Sequence, residues 1–185
     1  VPAAGTPALF ASVWGKYAIR VWKWALDWTT SPVGSTLSGP SEAPTGSFSV
    51  GPGTAATPAN ANDTLTYRLM MQAQYTNIGG SESLWLSHTV ANPSNTALAA
   101  PRWYQLGVTG GVVASSVTQA GTWNPDTTHH RYTPSLAVDR LGDMAMGYSV
   151  SNASTYPQIR YAARLAADPL GTLAQGEGTL YTGQG

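Results

Sequence analysis

The stretch 130–165, HRYTPSLAVDRLGDMAMGYSVSNASTYPQIRYAARL, gives the clearest indication of fold in this chain. Residues 132–138 are β-prone, 144–150 place apolar side chains at every second position, and 159–165 form a third β-prone run. The segment DRLGD (139–143) contains an Asp that can hydrogen-bond its own turn and a Gly that tolerates positive φ. The stretch therefore predicts a meander of three antiparallel strands.

Other parts of the chain repeat this pattern. TYRLMMQAQYTNIGGSESLWLSHTV (66–90) is similar to 130–150, and APRWYQLG (100–107) is similar to QIRYAARLA (158–166). Arg131 lies 63 positions after Arg68, and Arg160 lies 58 positions after Arg102. AIRVWKWAL (18–26) is an earlier version of the same strand. The other predicted strands are 19–28, 46–50, 64–75, 83–90, 101–108, 112–123 and 179–182.

A four-stranded meander that recurs about every 60 residues is typical of a β-propeller blade, whose faces must be covered by neighbouring blades. We expect one all-β domain or propeller fragment over 1–185: two full blades at 64–123 and 130–185, a partial blade at 11–50, and a loop at 51–63. A closed propeller needs about 4–8 blades. A partial propeller would therefore be completed by another polypeptide chain or by copies of itself. The alternative is a β-sandwich, which this chain could complete unaided.

Composition excludes several classes of function. Charged residues make up 10% of the chain and the formal net charge is zero, with two lysines, so nucleic-acid binding is not expected. The absence of cysteine removes disulfides and thiolate catalysis. No apolar run is long enough to predict a membrane span, and nothing in the sequence calls for a cofactor.

The surface is expected to be neutral and rich in hydroxyl groups, which is common in secreted bacterial proteins. Residue 1 is Val, and no charged segment precedes an apolar one as in a signal peptide. We therefore expect a mature form or a fragment of an extracellular protein.

Two resemblances support this interpretation. PSLAVDRLGDMAMGYS (134–149) resembles the Asp-box of sialidase-like propellers, roughly S-x-D-x-G-x-x-W, through Ser135, Asp139, Gly142 and Tyr148 at wider spacing. Residues 21–30, 66–75, 83–90, 101–106 and, most specifically, 131–173 resemble an uncharacterised family of secreted bacterial proteins with propeller-like repeats. The resemblance implies the fold and the extracellular location and brings no established activity. The family often has a cysteine pair in the loop after the first aromatic strand, and 51–62 has none.

The segment HHRY (129–132) is the most site-like cluster, because it lies where an innermost strand of a blade would begin and line the central channel. Two arginines near a channel could bind a carboxylate or sulfate, or they could pair with backbone carbonyls or a neighbouring Asp. No metal site is predicted, because adjacent strand positions point to opposite faces. No catalytic residue is assigned. The candidate ligand-binding residues are Arg68, His88, His130, Arg131 and Tyr132.

Three features have structural alternatives. Asp139 is expected to brace its turn rather than to act in catalysis or calcium binding. His88, with apolar neighbours at period two, has an alternative role as a half-buried structural histidine. The stripe Trp22, Trp24 and Trp28 could stack on sugars if it is exposed, and it is expected to form core between blades.

The favoured function is a secreted, non-catalytic binding or assembly module that contacts protein or glycan. One alternative is an enzyme of the sialidase-like or glycoside hydrolase type, in which Arg68, Arg131 and His130 bind the substrate and the catalytic groups are supplied elsewhere. A third is a structural subunit of an extracellular surface assembly. An acidic residue close to the arginine pair would favour the hydrolase.

Overall fold

The computed structural model describes residues 5–30 and 34–184, which form β-strands and contain no α-helix. The strands, in chain order, are β1 (Ala8–Trp14), β2 (Ala18–Ala25), β3 (Thr36–Pro44), β4 (Thr54–Ala56), β5 (Ala61–Asp63), β6 (Gln74–Ile78), β7 (Ser81–Asn92), β8 (Asn95–Thr109), β9 (Val112–Thr122), β10 (His130–Val138), β11 (Met144–Asn152), β12 (Thr155–Arg164) and β13 (Glu177–Thr182). Within the described ranges, no helix is long and apolar enough to cross a membrane.

The strands form four antiparallel sheets, and consecutive strands are neighbours in every one of them. The first sheet is β1-β2-β3, the second is β6-β7-β8-β9, and the third is β10-β11-β12-β13. A small sheet, β4-β5, lies between the first two in sequence. None of the sheets closes on itself in the part of the chain that is described. The expected all-β fold built from meanders is confirmed.

The second sheet is covered on both faces. On one face Leu84, Leu86 and Tyr104 pack with Ile19 and Val21 of the first sheet. On the other face Trp85 and Trp103 pack against the third sheet, in a cluster completed by Leu136, Val138, Met144, Met146, Tyr148, Val150, Ala162 and Leu173. Because alternate residues of a strand point to opposite faces, one meander supplies both layers of core. The three sheets therefore stack in chain order.

Strand register shows that the second and third sheets are structural repeats. Arg102 of β8 is paired with His88 of β7 and with a residue of β9, and Arg160 of β12 occupies the same place between β11 and β13. The turns that follow β7 and β11 also match. Asn92 and Asn152 each accept a hydrogen bond from the backbone N–H two residues later, and each donates through its amide to a carbonyl within 126–128.

The first sheet is built differently from the prediction. Its third strand is Thr36–Pro44 and not 46–50, which contains no strand. The hydrogen bonds from Thr45 N to Tyr17 O and from Phe48 N to Lys16 O hold the segment after β3 against the turn between β1 and β2. Pro40 and Pro44 are tolerated in β3 because this strand is at the edge of its sheet.

Two further segments correct the sequence prediction. The expected loop 51–63 contains the hairpin β4-β5, in which Ala55 packs with Ala99 and Tyr132. The expected strand 64–75 is mostly irregular, and only Gln74–Ile78 pairs as a strand. Leu65 and Tyr67 have φ values of 49° and 73°, which are incompatible with a β-strand. Within the irregular part, Leu69 forms an isolated antiparallel bridge with His88 of β7.

The tryptophan stripe of β2 lies on the open face of the first sheet, so the expectation that it forms core is wrong for the described chain. Ile19 and Val21 face the second sheet, whereas Trp22 and Trp24 alternate with them and face away. Trp24 is 38% exposed and Trp28, beyond the end of β2, is 86% exposed.

Candidate functional site

The structure places the five candidate residues in different surroundings. Arg68 is exposed in a turn before β6, whereas Arg131 is almost fully buried at the start of β10. The two arginines, which the repeat aligned, are therefore not equivalent in burial. His88, His130 and Tyr132 are also buried. The clefts described below are lined by other residues.

His88 is enclosed by the second sheet and the segment after β3. Its Nε2 lies 2.8 Å from the hydroxyl of Tyr104, and its ring stacks on that of Tyr104 and meets Phe48 edge-on. Burial, with the positive charge of Arg102 as the second cause, lowers the pKa of His88 to about 3. The imidazole is therefore neutral at physiological pH, which fits the structural alternative considered for this residue.

His130 and Tyr132 connect β10 to other strands. The backbone N–H of Ala99 donates to Nδ1 of His130 at 3.2 Å, and burial lowers the pKa of this histidine. The hydroxyl of Tyr132 accepts a hydrogen bond from Asn62 of the β4-β5 hairpin at 2.9 Å and lies 3.3 Å from the hydroxyl of Ser151. These contacts join β10 to β5, β8 and β11.

Arg131 belongs to a largely buried ion network, centred on Glu177, that contains one residue from each strand of the third sheet: Arg131 from β10, Tyr148 from β11, Arg160 from β12 and Glu177 from β13. Nε of Arg131 lies 2.7 Å from Oε2 of Glu177, and Nη1 of Arg160 lies 2.7 Å from Oε1 of the same carboxylate. Tyr148 donates its hydroxyl hydrogen to Glu177 Oε2 at 2.8 Å. Nη2 of Arg131 also binds Asp126 at 2.8 Å.

These contacts determine the protonation of the network. Burial by itself would raise the pKa of Glu177, but hydrogen bonds from Arg131, Arg160 and Tyr148 lower it to about 2. Burial would also raise the pKa of Asp126, but the hydrogen bond from Arg131 and other contacts hold that pKa below its usual range. Burial is the main cause that raises the pKa of Tyr148, and the hydrogen bond to Glu177 is the second. Glu177 is thus an ionised acceptor with four donors around it, counting the indole N–H of Trp123 at 3.3 Å, and it has no proton to give at neutral pH.

Sequence reasoning identified Arg131 but missed Glu177, because this residue is 46 positions away and follows a segment that reads as a turn. The only available signal was the pairing of the third and fourth strands of the repeat, which places 177 beside 162. Once that register is known, Glu177 is the acidic side chain nearest to both arginines.

Asp139 braces its turn, as expected. Its Oδ1 accepts the backbone N–H groups of Leu141 at 2.8 Å and Asp143 at 3.0 Å. Gly142, in the same turn, has a φ of 91°, which explains why glycine stands there. Within the described chain, no group of three or more His, Asp or Glu side chains is arranged to hold a metal ion.

Two clefts lie between the second and third sheets. The first, with a volume of about 280 Å³, is lined by Trp103, Thr122, Trp123, Asn124, Pro125 and residues 171–174. The other, of about 320 Å³, lies between strand ends of the two sheets and is lined by Thr76, Ile78, Ser81, Ser83, Trp85, Gln105, Thr118, Gln119, Gly142, Arg164, Ala166 and Leu170. A third, of about 310 Å³, separates the segment after β3 from the second sheet and includes Phe48 and Arg102.

An open aromatic surface is the other feature of the molecule that could bind a partner. It occupies the outer face of the first sheet and consists of Phe10, Trp14, Trp22, Trp24 and Leu37, of which Phe10 is 50% and Leu37 62% exposed. On the same face, Arg20 lies over the ring of Trp14 at 3.3 Å and pairs with Glu42. Comparison of the chain with known protein families, characterised proteins and solved structures gives no match, so this geometry alone carries the functional argument.

Proposed function

We propose that this chain is a secreted, non-catalytic assembly module, part of a β-propeller, whose open aromatic surface packs against a further β-sheet. The single observation that carries the proposal is the difference between equivalent faces. The faces of the second and third sheets that bear Arg102 and Arg160 are covered by the preceding sheet, whereas the face of the first sheet that bears Arg20 is open.

The chemistry of the open surface favours a protein partner. Large exposed apolar patches on soluble proteins commonly mark interaction sites, and aromatic side chains dominate the buried centres of interfaces. Phe10 and Trp24 already contact each other, with ring centroids 5.9 Å apart, so the surface is partly organised before a partner binds. The only charged side chains in it are Arg20 and Glu42, which neutralise each other.

The edge of the first sheet supports the same proposal. By position in the repeat, β1 is equivalent to β7 and β11. An additional strand, β6 or β10, pairs with the outer side of β7 or β11, whereas β1 has no such neighbour among the described residues. The backbone N–H and C=O groups along that side can receive another strand. A partner sheet on the aromatic face and a strand beside β1 would give the first sheet the surroundings of the other two.

A second copy of this chain offers a surface that could receive these aromatic side chains. The outer face of the third sheet has small side chains at its centre, Ala137, Ala145 and Gly147, with Tyr161 and Ile159 beside them. Large aromatic side chains of the first sheet could pack on this flatter face. Such head-to-tail contact between identical chains gives either a ring or an open filament, depending on the rotation between copies.

The hydrolase alternative has less support. Two acidic residues lie within reach of Arg131, one member of the arginine pair that this alternative needs, but Asp126 and Glu177 are both bound in the ion network. Glu177 lacks the raised pKa that a general acid of a glycosidase needs. Glycan binding by the exposed tryptophans is an outcome that the experiment below can detect.

Native mass spectrometry at increasing protein concentration tests the proposal. We expect assemblies larger than the 19.3 kDa chain, and we expect Phe10→Ser combined with Trp24→Ser to return them to monomers. Leu141→Ser is the matched control, because Leu141 is 66% exposed at a hairpin turn away from the aromatic face. A chain that stays monomeric at all concentrations, or an assembly that the double variant leaves intact, would contradict assembly through this face. Binding of oligosaccharides that is lost in the double variant would instead identify a glycan-binding surface.

A further inference from the structure

We propose that Arg164 binds the carboxylate group of a small molecule in the 320 Å³ cleft between the second and third sheets. The cleft is close to the smallest volumes at which proteins bind small molecules. None of the residues that line it belongs to the segment 129–132 that the sequence analysis singled out. The proposal does not depend on the assembly proposed above.

Arg164 is a buried cation without a carboxylate partner. Its side chain is 2% exposed, and among the described residues no Asp or Glu forms an ion pair with it. Nη2 donates to the carbonyl oxygens of Asp168 at 2.9 Å and Ala166 at 3.5 Å, whereas Nε is buried and has no hydrogen-bond partner. A buried charge is costly unless it is paired, so this arrangement favours an anionic ligand beside Arg164.

Asp168, whose backbone carbonyl binds Arg164, uses its carboxylate elsewhere. Its carboxylate accepts the backbone N–H of Leu165 at 2.7 Å and the side-chain amide of Gln175 at 3.0 Å. Arg131 in the same sheet also has one buried nitrogen without a hydrogen-bond partner, Nη1, but two carboxylates bind its guanidinium. The fold therefore supplies counter-charges to Arg131 and leaves Arg164 with backbone carbonyls alone.

Arg164 also departs from the structural repeat. It is paired with Met144 in the third sheet, and the equivalent pair in the second sheet is Leu84 with Leu106. Leu106 is fully buried in apolar core. A leucine at position 164 would satisfy the same packing, so the guanidinium at this place is not a requirement of the fold. Departures from an otherwise consistent pattern are expected at functional sites.

The opposite wall of the cleft presents hydrogen-bond donors. The backbone N–H of Gly171 donates to Oε1 of Gln119 at 3.0 Å, which fixes the orientation of that amide. Nε2 of Gln119 then donates to Oε1 of Gln105 at 2.7 Å, and Nε2 of Gln105 donates to the hydroxyl of Ser83 at 2.9 Å. Each amide oxygen thus accepts a hydrogen bond, while each amide nitrogen keeps one N–H and Ser83 keeps its O–H.

A ligand in this cleft must therefore be anionic and rich in acceptors. A carboxylate matches the planar fork of the guanidinium and can accept further hydrogen bonds from the amide and hydroxyl donors of the opposite wall. The apolar sides of the cleft, Ile78, Trp85 and Leu170, suit the carbon skeleton of a small organic acid rather than a bare inorganic ion.

Titration of the whole chain with acetate at constant ionic strength tests the proposal. In ¹⁵N spectra of the arginine Nε–Hε groups, we expect the Arg164 signal, identified by its loss in Arg164→Lys, to move with acetate and not with its neutral analogue acetamide. We also expect acetate to raise the melting temperature of the wild type and of the exposed control Arg140→Leu, but not of Arg164→Leu.

Three results would overturn the proposal: an Arg164 signal that does not respond to acetate, an equal response to acetamide, or an equal rise in melting temperature in Arg164→Leu. A response of Arg164 to sulfate but not to acetate would also overturn it, since the site would then bind an inorganic ion. Arg164→Leu restores the side chain found at the equivalent position of the second sheet and should fold. If it does not, the wild-type spectra decide the question alone.

Discussion

Glu177 Oε2 lies 2.7 Å from Nε of Arg131, so a carboxylate in the last strand of the third sheet neutralises a buried guanidinium in the first strand of the same sheet. The same carboxylate binds Arg160 of the third strand at 2.7 Å and Tyr148 of the second at 2.8 Å. One acidic residue therefore holds all four strands together, in addition to the backbone ladder.

Replacement of this carboxylate should be strongly destabilising. Glu177→Gln leaves the buried Arg131 with Asp126 as its only counter-charge, and breaking a buried ion pair on one side costs about 3–5 kcal/mol. We expect a loss of free energy of unfolding of that size in urea denaturation. Glu42→Gln removes the partly exposed pair with Arg20 and should cost less than about 1 kcal/mol. A loss in Glu177→Gln no larger than that in Glu42→Gln would contradict a strongly stabilising network.

Acid should weaken the protein through Glu177. Its pKa falls from 4.5 in the unfolded chain to about 2 in the folded one, so the folded state binds fewer protons between these values. The stabilisation is fully present above pH 4.5 and is lost as pH falls towards 2, a change on the order of 3 kcal/mol. The free energy of unfolding of the wild type should decrease more steeply with acidification in this range than that of Glu177→Gln. Parallel pH profiles would contradict the assignment.

A second acid effect should begin at higher pH and come from His88. Burial keeps this histidine neutral in the folded protein, with its pKa lowered from 6.5 to about 3, whereas the unfolded chain takes up the proton below pH 6.5. Stability should therefore fall by up to about 1.4 kcal/mol per pH unit for this proton between pH 6.5 and 4.5.

His88→Phe keeps an aromatic ring between Phe48 and Tyr104 and removes the titration. Its stability should depend less on pH in this interval, as measured by urea denaturation at several pH values. His130→Phe is the matched comparison, because burial lowers the pKa of His130 in the same direction. If neither variant flattens the profile, the two buried histidines titrate in the folded protein as they do in the unfolded chain.

Contact between the second and third sheets should be sensitive to one glycine. A Cβ at Gly121 would meet the carbonyl oxygen of Gly171 and lie 2.9 Å from the indole nitrogen of Trp103. Gly121→Ala should therefore cost about 1–3 kcal/mol, as overpacking does. Gly107→Ala is the control, since its nearest contacts would be at 3.6 Å and 3.7 Å. Thermal unfolding of both variants, followed by tryptophan fluorescence, would show whether backbone contact at Gly121 limits the packing of these sheets.

The sequence predicts β7 to β13 well because these strands have period-two alternation and turns with a clear chemical cause, such as Asp139 with Gly142, but it misplaces β6, which the pattern puts at 64–75. It fails for β3, whose segment TLSGPSEAP contains two prolines and few β-prone residues and pairs only because it is at a sheet edge. It also fails for the hairpin β4-β5, whose three-residue strands are stabilised by packing on Tyr132 and not by their own composition.

The candidate sites show the same difference between features that a local pattern predicts and features that depend on strand pairing. Arg131 stands out in the sequence because it belongs to a cluster, but its partner Glu177 is brought close only by the order of four strands. Arg164 reads as an ordinary strand residue, and its unusual position emerges only when the register of the third sheet is compared with that of the second. Burial and pairing across strands are properties of the assembled sheet, so no local pattern could have revealed them.

The turns at Asn92 and Asn152 are both bound to carbonyls of residues 126–128, so this short connector serves two sheets at once. In protein engineering this makes it a poor place to insert a peptide tag or a reporter domain. In the turn between Asp139 and Asp143, Leu141 is 66% exposed, although Asp143 accepts the backbone N–H of Ala166 and Gly142 lines the 320 Å³ cleft. A guest sequence placed at this turn would distort one hairpin. One placed in the connector 126–128 would break hydrogen bonds to turns of both the second and the third sheet.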